Sequence, residues 1–343
     1  MLDSYAQSRL LTGDPEDLRA SLAAWHEIPV DMTYFAPAGW TPPRHPTTIG
    51  KPFYVSGRGT YECQSCSTLH FEPYAGDGWW IDRTDHREQL PIQVSVRNVW
   101  DTKRSIVLRS GSAHNYLRMV EHVVALRLGL GLDSVMVRTN SGDPPLFDVG
   151  SLPIIDKAMR AGLVENVDRK LVYWTVKEPV VLMGHHGSFL LLLPAENGDR
   201  RLRIDCAVDF PTAIGQQRIQ FDVFPEAFSH GAQARTNCSR LEWWFVRTAG
   251  KLFADLRNLG YTDENILIAG RREYANEAKL LHEGKSLEAV WHRATLDLVA
   301  ALSLVETGRL AGRVISYKAG HALDVRLTTY LYLHDLLEPM PDC

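Results

Sequence analysis

The chain has 343 residues, 45% of them hydrophobic and 23% charged, which is typical of a globular protein with room for about two domains. Its formal net charge of −4 is spread without a long block of like charges, so no nucleic-acid partner is expected. The sequence also lacks the apolar stretches of a secretory signal or a membrane span. We therefore expect a cytoplasmic protein with small-molecule partners and without stable membrane insertion.

Residues 1–45 contain one predicted helix, "PEDLRASLAAWHEI", followed by a proline-rich segment, "FAPAGWTPPRHPTT". Prolines at this density indicate an irregular connection. We interpret residues 1–45 as an N-terminal extension that precedes the first domain.

The cysteines point to a reducing compartment, because there are five, an odd number, scattered along the chain. Cys63 and Cys66 form the one close pair. A zinc ribbon needs a second pair at suitable spacing, so we interpret these two residues as strand thiols.

From about residue 48 the chain alternates between strand-like and helical patterns. Several β-favouring runs come first, including "PFYVSG", "STLHFEP", "GWWIDRT" and "LPIQVSVRNVW". Two predicted helices follow, "HNYLRMVEHVVALRLGLG" and "SLPIIDKAMRAGLV". These elements predict a first α+β domain over residues 46–170.

The second half repeats the same order of strands and then helices. Its strand-like runs are "KLVYWTVKEPVVLM", "SFLLLLPA", "RLRIDCAVDF" and "QRIQFDVF", and its helical runs are "LEWWFVRTAGKLFADLRNLG", "EAVWHRATLDLVAALSLVE" and "HALDVRLTTYLYLHDLL". We therefore predict an α+β fold of two related domains, with the second over residues 171–343 and a site where the domains meet.

A few polar residues in these elements are candidates for chemistry. Glu121 and His122 are neighbours on a helix, so one could bind a metal ion while the other contacts water on it. His321 follows a glycine at a strand-to-helix turn, and Thr236 precedes an apolar helix. Taken singly, these patterns are more often a solvated surface pair, a capping histidine and an N-cap threonine.

Several motifs, in this order, resemble the zinc-dependent UDP-3-O-acyl-N-acetylglucosamine deacetylase family of lipid A biosynthesis. They are "MVEHVVALRLGLGLDSVMVRTNSGDPPLFDVGS", "ARTNC", "WHRATLDLVAAL" and "VISYKAGHAL". The resemblance covers about residues 48–338 and leaves residues 1–45 outside. It implies two domains that each layer a β-sheet against two helices, an active site between the domains, and a nucleotide-sugar substrate with an acyl chain.

The resemblance also implies roles for individual residues. A Zn²⁺ ion would be held by two histidines and an aspartate, and would lower the pKa of its bound water. The zinc ligands would be His122, His292 and Asp297; the general base Glu121; the general acid His321; the oxyanion donor Thr236; and the substrate-binding cations Lys318 and Arg293.

One spacing departs from the family pattern, in which the ligand histidine and aspartate are four residues apart. His292 and Asp297 are five apart, which leaves them about 140° apart around a regular helix. Alignment through Asp297 would put Arg293 in the ligand position, and a guanidinium cannot bind zinc. Alignment through His292 requires one inserted residue, absorbed as a π-bulge that returns both ligands to one face. The sequence leaves both alignments open.

Other departures concern the surroundings of the site. Ala301 stands where the family has a second aspartate, Tyr61 replaces a histidine, and Asn237 replaces an aromatic residue. From the resemblance we nevertheless expect a zinc-dependent deacetylase that removes the N-acetyl group from UDP-3-O-acyl-N-acetylglucosamine or a related nucleotide sugar. The alternative is a metal-free, catalytically inactive homologue that binds a nucleotide sugar or an acyl ligand.

Overall fold

The computed structural model describes residues 2–61, 65–86, 90–253 and 259–341. Cys63 lies outside the described residues, so the interpretation of the Cys63 and Cys66 pair is not tested. The helices are Leu2–Ala6, Pro15–His26, Glu121–Val124, Leu126–Gly129, Leu152–Ala161, Pro225–Gly231, Arg240–Arg247, Glu288–His292, Val299–Leu302 and His321–Leu333, with a π-helix at Arg293–Leu298 and 3₁₀ turns at Val96–Asn98, His185–Gly187 and Ala249–Leu252. None of the helices in these ranges is long and apolar enough to cross a membrane.

Two large sheets organise the fold and confirm the predicted α+β class. The first sheet has five strands in the spatial order Phe53–Arg58, Cys66–Pro73, Val135–Thr139, Trp79–Arg83 and Ile92–Gln93. The second sheet has seven strands in the order Arg9–Thr12, Val180–Met183, Phe189–Leu193, Gly312–Tyr317, Leu202–Phe210, Gly215–Asp222 and Met32–Tyr34.

Smaller pairings complete the strand set. Val107–Arg109 pairs with Val99–Asp101 and Tyr116–Leu117, Tyr173–Val176 with Arg309–Leu310 and Leu337–Pro339, Thr47–Ile49 with Leu163–Glu165, Thr236–Ser239 with Ile266–Ala269, and Leu281–His282 with Lys285–Ser286.

Residues 288–302 form one buried helical segment, here called the central helix, with the π-helix in its middle. Every residue of this segment is buried, including the polar ones among its mostly apolar side chains. Leu296 belongs to the same hydrophobic core as Val124, Phe71 of the first sheet and Ile219 of the second. The core therefore continues through the helices from one sheet to the other, and polar groups on these helices lie deep in the protein.

Arg127 fixes the first-half helices against the end of the central helix. Its Nη1 donates to the carbonyl oxygen of Ser303 at 2.7 Å and also to that of Val305, and its Nη2 donates to that of Glu306 at 3.2 Å. These carbonyls follow the end of the helix, where carbonyl oxygens have no intrahelical N–H donor. Because Arg127 lies six residues after Glu121, the contact also holds the segment that carries Glu121.

The N-terminal extension is built into the second sheet. Arg9–Thr12 forms one edge of the sheet, parallel to Val180–Met183, and Met32–Tyr34 forms the opposite edge, parallel to Gly215–Asp222. The helix Pro15–His26 between them packs Trp25 into a cluster with Phe189 and Ile315 of that sheet. The extension thus supplies the two outermost strands of the second sheet. The division into residues 1–45, 46–170 and 171–343 stays a prediction.

Truncation of Trp25 tests this packing. The indole is 2% exposed, lies 6.4 Å from the Phe189 ring, and carries the Arg218 guanidinium 3.9 Å above it. Trp25→Ala should lower the free energy of unfolding by about 3–5 kcal/mol, measured by urea denaturation. Arg19→Ala, on the exposed side of the same helix, is the control and should change it by less than about 0.5 kcal/mol. An equal, small effect of both changes would show that the extension is not integral to the fold.

Candidate metal and acid-base site

Three helical segments bring the candidate residues together. Glu121 and His122 are the first two residues of helix Glu121–Val124. His292 ends the first part of the central helix, and His321 begins helix His321–Leu333. Side chains at helix ends can project past their own helix. The side chains at these three helix ends meet in one cluster.

The π-helix Arg293–Leu298 settles the geometry of the unusual spacing. It widens the turn between His292 and Asp297, and brings His292 Nδ1 to 3.6 Å from Asp297 Oδ1. This confirms the widened turn expected from the alignment through His292. The roles of the two residues as zinc ligands stay a prediction.

The remaining histidines lie beside this pair. The ring centroids of His122 and His292 are 5.5 Å apart. His321 Nδ1 lies 3.6 Å from Glu121 Oε1 and 3.9 Å from Asp297 Oδ1. The five residues therefore form one cluster of three imidazoles and two carboxylates, here called the His-carboxylate cluster.

Burial and mutual charge set the protonation of the cluster. Burial raises the pKa of Glu121, although His321 opposes this, and burial with help from His292 lowers the pKa of His122 to about 3. Burial disfavours the charged forms of Asp297 and His321, but each stabilises the other's charge. The pKa of Asp297 is consequently lowered and that of His321 raised. The neutral form of His122 and the ionised form of Asp297 are thus favoured.

Several polar atoms around the cluster are buried without a hydrogen-bond partner among the described residues. They are Glu121 Oε2, His292 Nε2, Arg293 Nη1, Asp297 Oδ1, His321 Nδ1 and Asp324 Oδ2. Buried polar groups in folded proteins are nearly always satisfied, and such a concentration marks a site that binds water, an ion or substrate.

The donor set suits Zn²⁺, although the ligand atoms are not gathered into a preformed site. Over the described ranges, no three His, Cys, Asp or Glu side chains lie close enough together to qualify as a metal cluster. A neutral His122, the partnerless Nε2 of His292 and the ionised carboxylate of Asp297 are nevertheless the ligand types that zinc prefers.

Two further predicted residues, Thr236 and Lys318, lie in other segments of the chain. Thr236 is partly buried and begins strand Thr236–Ser239, which packs beside helix Glu288–His292. It is not the N-cap of the following helix, because Ser239 accepts the capping hydrogen bond from Glu242. Lys318 is exposed, three residues before His321, with a left-handed φ of 52°.

Arg293 lies inside the protein and binds Asp324, a residue that our sequence analysis did not single out. The side chain of Arg293 is 9% exposed and that of Asp324 is fully buried. The sequence does carry a signal for Asp324: an acidic residue one helical turn after His321, in a chain whose Ala301 replaces an expected aspartate.

Buried imidazoles and carboxylates between two α+β halves are typical of metal-dependent hydrolases that activate water. The profile of the UDP-3-O-acyl N-acetylglycosamine deacetylase family matches residues 46–333, and the chain belongs to this family. The matched region leaves out the N-terminal extension, in agreement with the expected coverage.

Individual relatives are similar over most of their length. The UDP-3-O-acyl-N-acetylglucosamine deacetylase of Syntrophus aciditrophicus is 26% identical over 77% of this chain and 78% of its own. The proteins of the same name from Solibacter usitatus and Citrifermentans bemidjiense are 25% and 27% identical, over 83% and 86% of this chain and 90% of their own. The chain is thus a divergent member that spans nearly the whole family fold.

Proposed function

We propose that the protein is a zinc-dependent deacetylase that removes the N-acetyl group from UDP-3-O-acyl-N-acetylglucosamine or a related nucleotide sugar. The observation that carries the proposal is the π-helix Arg293–Leu298, which sets His292 beside Asp297 despite the extra residue. Such π-helical turns occur frequently at functional sites, and this one keeps both predicted ligands on one face of the helix. Membership of the family gives independent support.

In this proposal His122, His292 and Asp297 hold the metal ion. When bound, Zn²⁺ lowers the pKa of its water toward about 7 and polarises the amide carbonyl. The neutral state of His122 and the ionised state of Asp297 suit both for coordination.

Glu121 and His321 divide the proton transfers between them. Glu121 accepts the proton of the attacking water, because its buried carboxylate has a raised pKa and an Oε2 without a partner among the described residues. His321 donates a proton to the departing amine, because Asp297 and Glu121 favour its charged form. The hydroxyl of Thr236 donates to the developing oxyanion.

Two surface features suit the ends of such a substrate. Lys318 is exposed beside His321, where an ammonium group can meet a diphosphate. The helix Arg240–Arg247, which follows Thr236 closely, exposes 78% of Leu241 and 63% of Trp244, and this apolar face can accommodate an acyl chain. We accordingly propose a small-molecule partner with both a nucleotide and an acyl group, and a cytoplasmic location.

The proposed function is tested by incubating the purified protein with UDP-3-O-acyl-N-acetylglucosamine. We expect acetate and the free amine to appear in equal amounts, since one amide bond is cleaved per turnover. The already deacetylated sugar is the control and should release no acetate. Binding of the substrate by calorimetry without acetate release would favour the inactive, metal-free binding protein instead.

A further inference from the structure

The three donor nitrogens of Arg293 face three different parts of the site. Nε donates to the carbonyl oxygen of Ala319 at 2.8 Å, in the loop just before His321. Nη2 donates to Oδ1 of Asp324. Nη1 lies 3.9 Å from Oδ2 of Asp297 and has no hydrogen-bond partner among the described residues.

The guanidinium is placed to connect two helices rather than to meet substrate. Arg293 is the first residue of the π-helix and follows His292 directly. Asp324 lies in the first turn of helix His321–Leu333. A guanidinium has a planar, rigid arrangement of donors, so it fixes the relative orientation of the groups it binds better than a flexible ammonium does.

Asp324 also supplies a carboxylate that the central helix lacks. Ala301 is fully buried in the helix, and its methyl group offers no partner for His321. Asp324 brings a buried carboxyl group from His321's own helix instead, one turn after the histidine. This carboxyl group therefore comes from a different helix, and Arg293 connects it to the π-helix.

We propose that Arg293 and Asp324 are a positioning pair that holds the π-helix, with Asp297, in register with His321. Neither residue contacts substrate in this arrangement, which differs from the substrate-binding role expected for Arg293. The proposal rests on the proposed deacetylase function. It adds that the widened turn and the relocated carboxylate act together, as one device that keeps metal ligands and acid histidine aligned.

The experiment compares Arg293→Lys, Asp324→Asn and the double variant with wild-type protein. Arg309 and Asp133 provide a matched control, because they form a buried pair at 2.7 Å outside the His-carboxylate cluster. The corresponding control changes are Arg309→Lys and Asp133→Asn. Measurements are kcat and KM for the acylated UDP-sugar, corrected for the folded fraction, and the zinc dissociation constant from competition with a chelator.

We expect each change in the positioning pair to lower kcat by about 10–100-fold while KM changes less than about threefold, because misplaced groups slow the chemical step. Zinc affinity should fall by about 10-fold or more, as it does when groups that orient metal ligands are removed. The double variant should be little worse than either single one. The control variants should change neither quantity per folded molecule.

Different outcomes separate the two proposals. A raised KM with unchanged kcat would make Arg293 a substrate-binding residue and would contradict the positioning role. Losses of kcat and zinc affinity no larger than those of the control variants would also contradict it. A wild-type protein that binds zinc but releases no acetate would contradict the proposed function, and the zinc constants of the variants would still decide the positioning role. If the wild type is active and the variants keep its kcat and zinc affinity, the proposed function stands and the positioning role of Arg293 and Asp324 is contradicted.

Discussion

Glu121→Gln lowers kcat for deacetylation by about 10²–10⁴-fold if Glu121 is the general base, because the amide cannot accept the proton of the attacking water. The replacement keeps the shape of the side chain, and its remaining oxygen can still accept the hydrogen bond that Ile106 donates to Oε1. Fold, metal content and substrate affinity should therefore persist. Acetate release under single-turnover conditions measures the chemical step directly.

The matched control is Glu165→Gln, which changes the same functional group at an exposed position in strand Leu163–Glu165. Its kcat should equal that of the wild type. A Glu121→Gln variant that keeps its rate within about threefold would assign the base to another group. Retained substrate binding with loss of turnover is the pattern that distinguishes a missing base from a damaged pocket.

Local sequence patterns predicted the long elements well and their ends less well. The predicted helix "HNYLRMVEHVVALRLGLG" begins only at Glu121, because Tyr116 and Leu117 pair as a strand and Met119 has a positive φ of 52°. The helical spacing of apolar residues does not indicate where such a helix is interrupted, because a strand can bury the same residues. Leu117 is equally well buried from a strand.

Non-local pairing lay beyond the sequence pattern. Strands Arg9–Thr12 and Met32–Tyr34 form opposite edges of a sheet whose other strands begin only at Val180. A short stretch of sequence does not specify a partner strand that far away along the chain. The sequence indicated one helix and a proline-rich connection in this region, and only the observed pairing shows that residues 9–12 and 32–34 are strands of the second sheet.

At the candidate site, the motifs identified the ligand types but left two alignments open. The spacing of His292 and Asp297 allowed either a widened turn or a cation in the ligand position, and helix geometry alone cannot choose between them. The choice depends on where Arg293 finds partners, and these come from Ala319 and Asp324 on another segment. A buried guanidinium is stable only where carboxylates and carbonyls meet it.

His292→Ala should abolish stoichiometric zinc binding, because it removes one of the three proposed ligands, the one that the π-helix sets beside Asp297. Wild-type protein purified without added metal should hold about one zinc ion per chain, as a catalytic site with three protein ligands does. In the variant we expect near-zero zinc, and no acetate release above background. Metal content by mass spectrometry and chelator competition measure both states.

His185→Ala controls for the loss of an imidazole as such, since His185 lies in a 3₁₀ turn beside the helix Pro15–His26. This variant should keep its zinc. Equal zinc in wild type and His292→Ala would place the ion on a different ligand set, and the π-helix would then need another explanation. Absence of zinc from both proteins, with intact binding of the nucleotide sugar, would mean that the protein has kept its fold and its ligand binding but lost catalysis. Arg293 and Asp324 would then stabilise a cluster that no longer binds metal.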